Sequence, residues 1–303
     1  AEGKKYHRTH LAYLTAICVL KHVMSTRDMD LLIREELQGE RPIQDGYVAF
    51  CASLDKALRI TADEMAARGG ERKRSASDMR DFVLMTDSCC DMAPQMAEEL
   101  GLIVLPLSLE LGGATYHNYL DGREIGFSDF YSRIRSGETA TTSAISVGTF
   151  EEAMRPVLES GRDILCLSFS SALSTSYQSA VIAAGEMREA FPEAKVHVVD
   201  TLCASLGQGL LVYLCALQKQ AGKSLEELRD YAENTKGRIC HWFTVDDLNH
   251  LKRGGRVSAA TALFGTMLSI KPVLHVDDQG RLIPVSKARG RRASLLALVD
   301  RME

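Results

Sequence analysis

The chain has 303 residues, 46% of them hydrophobic and 25% charged, with 36 Lys and Arg against 40 Asp and Glu and a formal net charge of -4. That is apolar material for two ordinary domains with real cores, and the acidic balance gives no argument for a nucleic-acid partner. The longest apolar run, residues 11–20, is interrupted by Thr15 and is too short to span a bilayer, so stable membrane insertion is not expected.

Residues 1–68 read as helices only. Leu11, Leu14, Cys18 and Met24 follow one helical stripe, Thr26 caps a second helix, and Cys51, Leu54, Leu58 and Met65 form another stripe that stops at Gly69 and Gly70. The charged stretch 71–77 has no apolar period and reads as a linker. Residues 1–80 are thus expected to be an all-helical extension with a basic linker, to which no activity is assigned.

Beyond the linker, β-rich runs alternate with helical patterns. Strands are expected near 82–86, 103–109, 163–168 and 195–199, and helices near 94–100, 128–136, 149–159, 176–190, 204–221 and 224–236. Ser224 with Glu227 forms a capping box for the last of these. The alternation predicts an α/β fold, a parallel sheet covered by helices over 81–238, followed by a second α/β domain over 239–303. Eight cysteines (18, 51, 89, 90, 166, 203, 215 and 240) show no metal-type spacing and mostly lie in apolar runs, which indicates a reducing cytoplasm and no metal or cofactor.

The strand ends share one chemistry. Thr86-Asp87-Ser88, Thr141-Thr142-Ser143, Ser174-Thr175-Ser176 and Asp200-Thr201 with Ser205 all place short polar side chains where strands stop and helices begin. In an open α/β sheet such segments converge beyond the carboxyl ends of the strands, where unpaired N–H groups and the positive helix end favour a carboxylate or phosphate. Asp87 and Asp200 have a competing role, since an Asp after a strand also ties down its own turn. Several enzyme classes fail on the residues: Gly222-Lys223-Ser224 lacks the earlier Gly of a phosphate-binding loop because Leu217 stands there. Ser174 lacks the flanking glycines of a hydrolase elbow. His197 sits in an apolar strand and reads as a core histidine. The alternative kept open is an enzyme acting on a phosphorylated small molecule at the same helix ends.

From residue 82 onward the chain resembles the DegV family of bacterial fatty-acid-binding proteins. The resemblance rests on Thr86-Asp87-Ser88, Thr141-Thr142-Ser143, the run Ser170 to Ala180, Asp200-Thr201 with Ala204 to Gly209, and Val245 to Leu248 leading to Gly254-Gly255-Arg256-Val257-Ser258. It implies a carrier, not an enzyme, that encloses a long-chain fatty acid and presents it to a separate ATP-dependent fatty acid kinase for acyl phosphate formation. On that pattern Thr142 and Ser174 hold the carboxylate, with Ser143, Thr175, Ser176, Asp87, Ser88 and Ser205 around it. The chain departs from the family where Thr175 replaces a glycine and where Ala144-Ile145 replaces Gln-Pro. The family also continues beyond the position of Glu303, so residues 239–303 are expected to be the start of a longer second domain.

The apolar, small-residue stretch 259–276 suits a tunnel for the acyl tail, with Phe264, Met267 and Ile270 as candidate lining residues. Two basic groups, Lys252-Arg253 with Arg256 and Lys287 with Arg289, Arg291 and Arg292, stand out in an acidic chain. Arg256 and Arg289 are the residues expected to dock the kinase.

Overall fold

The computed structural model describes residues 80–245, 248–257 and 270–301. All but the last residue of the helical extension and linker expected over 1–80, and the candidates Phe264 and Met267, lie outside the described residues. The chain divides into two compact units. The described residues of the larger fall within Glu71–Ile239 and Asp278–Arg281, and those of the smaller within Cys240–Asp277 and Leu282–Glu303.

The larger unit is built on a four-stranded parallel sheet in the order β2-β1-β6-β7. Its strands are β1 (Phe82–Asp87), β2 (Ile103–Leu105), β6 (Asp163–Ser168) and β7 (Val196–Asp200). All six residues of β1 and of β6 are buried, as a central strand covered on both faces requires. The helices of this unit are α1 (Pro94–Glu99), α2 (Phe127–Arg135), α3 (Val147–Glu159), α4 (Ser176–Ala190), α5 (Leu206–Gln220) and α6 (Leu225–Lys236). Val83, Met85, Ile164 and Cys166 pack on one face against Phe150 and Met154 of α3 and Ala180, Ala183, Ala184 and Met187 of α4. Helices α5 and α6 also meet the sheet, α5 at β1 and β6 and α6 at β6 and β7, and they bury Leu211, Val212, Cys215 and Leu228.

The strand expected over 103–109 is two strands. Pro106 has no N–H and ends β2, and the chain continues as β3 (Leu107–Leu111) in a separate antiparallel sheet of order β4-β3-β5. β4 is Ala114–Asn118 and β5 is Ala140–Ser143. Thr141 to Ser143, expected as a polar lead into a helix, therefore belongs to a strand paired with β3, with Thr142 opposite Leu109.

In the smaller unit β8 (Trp242–Thr244), β9 (Ile270–Val276) and β10 (Leu282–Arg289) form an antiparallel sheet in the order β10-β9-β8. The hairpin β9–β10 turns through Asp278-Gln279-Gly280. Helix α7 spans Leu248–Arg253, and α8, Arg291–Val299, packs its Leu298 against Val273.

Candidate functional site

The carboxyl ends of β1, β6 and β7 are tied together by carboxylates. Asp87 is buried at the end of β1. Its Oδ2 accepts the Phe169 N–H at 2.8 Å, and its Oδ1 accepts the Cys89 N–H and a Gln208 side-chain N–H, each at 3.1 Å. Burial raises the Asp87 pKa above its ordinary value, opposed by these N–H donors. Asp200 acts in the same way at the end of β7, its Oδ1 accepting the N–H groups of Ser171 and Leu202, both at 3.1 Å. Two aspartates thus fix alternate amides, 169 and 171, of the hydroxyl-rich turn after β6.

Ser88 and Ser205 also have protein partners. The Ser88 hydroxyl accepts the Leu107 N–H at 3.1 Å and the Asn118 side-chain N–H at 3.3 Å. Ser205 donates to Asp91 at 2.7 Å and makes no capping bond to α5. The start of α5 lies so close to the chain that a Cβ on Gly209 would sit 2.6 Å from the Cys90 carbonyl oxygen, which only glycine permits.

Ser174, Thr175 and Ser176 open α4. Ser174 and Ser176 hydroxyl oxygens lie 3.0 Å apart, Ser174 Oγ accepts the Ser176 N–H at 3.2 Å, and Ser176 Oγ accepts the Ile145 N–H at 3.1 Å. Either hydroxyl can donate across this pair; where Ser176 donates, both acceptor positions of Ser174 are filled and its own O–H is available to another acceptor. Thr175, exposed, makes no capping bond, and the first turn of α4 carries no acidic residue. The positive end of a 15-residue helix is therefore not complemented by a carboxylate in its own first turn.

The bond from Ile145 brings the second hydroxyl segment to the same place. Thr142 is three residues away, at most about 10 Å of extended chain, and Thr142 and Ser143 are both exposed. Directly opposed residues of an antiparallel pair share a sheet face, so Thr142 shares one with Leu109 and, two positions along, Leu111, both buried. A polar hydroxyl thus borders an apolar surface. Helix α2 buries no residue completely, and Phe127, Phe130, Tyr131 and Ile134 remain half-buried.

The remaining candidates lie in the smaller unit. Ile270 is the first residue of β9, half-buried and paired with Arg289, which is exposed at the end of β10. Arg256 is exposed beyond α7 and donates to the Gly254 carbonyl. Burial pushes the thiols of Cys90, Cys203 and Cys215 up to about 12, which keeps them protonated and unreactive. Among the described residues no group of three or more His, Cys, Asp or Glu is placed to hold a metal ion. No helix among them is long and apolar enough to cross a membrane. Sequence reasoning missed the links of Ser170 to Gly280 and of Ser205 to Asp91, which join positions far apart in the chain.

Comparison with known proteins places this site in context. Residues 81–303 match the family model described as "Uncharacterised protein, DegV family". A DegV domain-containing protein of Clostridium perfringens (strain 13 / Type A) is 43% identical over 225 residues, 74% of this chain and 77% of that protein. Among solved structures, a DegV family protein from Thermus thermophilus described for its fatty acid binding is 36% identical with a TM-score of 0.64, covering 74% of this chain and 78% of that one. A Thermotoga maritima protein whose structure revealed fatty acid binding function is 29% identical with the same TM-score of 0.64, covering 74% and 76%.

Proposed function

The chain belongs to the DegV family, and from that premise we propose that it binds a long-chain fatty acid and presents it to a separate ATP-dependent kinase for acyl phosphate formation. The carboxylate sits against the Ser174 hydroxyl at the start of α4 and against Thr142, with Ser143, Thr175 and Ser176 beside it. Asp87, Ser88 and Ser205 act as supports. Their side chains are engaged by the protein itself, Asp87 and Ser88 as acceptors and Ser205 as a donor. The observation that carries this reading is the Ile145–Ser176–Ser174 network, in which a Ser176 hydroxyl that donates to Ser174 frees the Ser174 O–H for a ligand, at a helix whose first turn carries no acidic residue. An ionised carboxylate, which only accepts, matches that donor. Fatty acid binding by the Thermus thermophilus and Thermotoga maritima relatives supports the choice of ligand.

Magnitudes divide the work between the two ends of the ligand. Burying an acyl tail at about 0.8 kcal/mol per CH₂ yields on the order of 10 kcal/mol before ordering costs. The head-group contacts contribute about 1 to 3 kcal/mol. Affinity comes from the tail and orientation from the hydroxyls, an arrangement for a carrier whose chemistry takes place on a partner. Arg256 and Arg289, both exposed, supply the cationic groups that the partner recognises.

Native mass spectrometry of the purified protein tests the ligand. A co-purified mass of a long-chain fatty acid is expected. A nucleotide or a sugar phosphate in its place would mean that the helix ends serve phosphate instead.

A further inference from the structure

The turn that carries Ser174 is fastened to a residue 110 positions further along the chain. The buried Ser170 hydroxyl donates to the carbonyl of Gly280 at 2.9 Å. Residues Asp278–Arg281 group with the larger unit although β9 and β10, which they join, belong to the smaller one. The fit at Gly280 is close in two respects. Its φ of +75° lies in the left-handed region, and a Cβ there would meet Ser170 Oγ at 2.1 Å and Leu202 Cα at 3.1 Å. Gly280 is thus wedged between the turn after β6 and the turn after β7, where Leu202 itself has a φ of +54°.

Ser170 is a hub for the turn. Its carbonyl accepts the Leu173 and Ser174 N–H groups at 3.0 and 3.2 Å, its hydroxyl accepts the Ala172 N–H at 3.3 Å, and its own N–H donates to the Cys203 carbonyl at 3.1 Å. A displacement of Ser170 passes through these bonds to Ser174. We propose that Ser170 and Gly280 are positioning residues for the carboxylate-binding hydroxyl, the hairpin turn at 278–281 setting where Ser174 stands without touching the ligand. The inference rests on the fatty-acid reading for its ligand and on the hydrogen-bond geometry alone for its mechanism.

The test uses the full chain with Gly280→Ala, Ser170→Ala and the control Gly222→Ala, a glycine with φ +84° and nothing within 4 Å of its would-be Cβ. Affinities are measured for hexadecanoic acid and its methyl ester, and amide hydrogen exchange is followed at Leu173 and Ser174 without ligand. Gly280→Ala and Ser170→Ala should weaken acid binding about tenfold, leave the ester unchanged and speed exchange at both amides, the scale of one lost hydrogen bond. Gly222→Ala should change none of these. Unchanged exchange in both variants overturns the proposal, as does equal weakening of acid and ester, which would report general damage. A wild-type protein that binds neither compound refutes the fatty-acid reading instead, and the exchange rates then decide the positioning role alone. Should Gly280→Ala not fold, Ser170→Ala decides.

Discussion

Ser174 and Ser176 have their hydroxyl oxygens 3.0 Å apart, yet only Ser176 is tied to another segment, through the Ile145 N–H. The pair therefore divides its roles. Replacing Ser176 by Ala strips a buried N–H of its acceptor and should cost about 1 to 3 kcal/mol of stability. Replacing Ser174 by Ala also strips the Ser176 N–H of its side-chain acceptor and should cost comparable stability, but it should in addition weaken fatty acid binding about tenfold or more, as loss of a charge-assisted hydrogen bond does. Thermal melts beside isothermal titration separate the two effects, and equal behaviour of both variants would contradict the division.

Thr142 gives the second head-group test. Thr142→Val keeps the shape of an exposed β5 residue and removes its hydroxyl. Affinity for the acid should fall about three- to tenfold while affinity for the methyl ester stays level. Adding Ser174→Ala should lower acid affinity further. Full acid affinity in the double variant would place the carboxylate elsewhere.

The tail should show a length optimum. An enclosed apolar channel gains with each added CH₂ until its end is reached and then loses through overpacking. Binding of saturated acids from 8 to 20 carbons, measured in one buffer, should pass through a maximum. Affinity that ignores chain length would point to a small polar ligand.

Docking of the kinase is tested by charge. Arg256→Glu with Arg289→Glu should reduce ATP-dependent acyl phosphate formation by the cognate kinase at least tenfold at low salt, with fatty acid affinity unchanged. The wild-type rate should itself fall with ionic strength, because rim charges act mainly on association. Phosphorylation at the wild-type rate by the double variant would remove these arginines from the interface.

His197 supplies a pH signature of the fold. Partial burial lowers its pKa below the ordinary 6.5, reinforced by Arg229 and countered by Glu226. The unfolded chain binds this proton more readily than the folded one, so the contribution is present above pH 6.5 and is lost as the pH falls through the depressed folded value. The urea midpoint of the wild type should therefore decline more steeply below about pH 6.5 than that of His197→Gln. Parallel curves would show that His197 titrates alike in both states.

The parallel sheet was legible because β1 and β6 are continuous apolar runs bounded by polar ends, and α4 because its start is announced by hydroxyls. The second sheet was not. Its β5, Ala-Thr-Thr-Ser, has only four residues and no apolar alternation, and Pro106 lies inside a run that reads as one strand. Within the site, residue type was informative and role was not. Asp87, Ser88 and Ser205 have the side chains of ligand contacts, but bonds at 2.7 to 3.3 Å, to Phe169, Gln208, Leu107, Asn118 and Asp91 among others, engage them with the protein, and no local pattern reveals partners so distant.

The link between Ser170 and Gly280 also sets an order in time. A ribosome adding about 5 to 20 residues per second takes roughly 4 to 16 s to pass from Asp200 to Gly280, and through that interval β1, β2, β6, β7 and α4 already have all their residues. The turn at the head of α4 meanwhile lacks the acceptor for its central hydroxyl. During synthesis the residues of the parallel sheet are therefore all present before the acceptor of the Ser170 hydroxyl is.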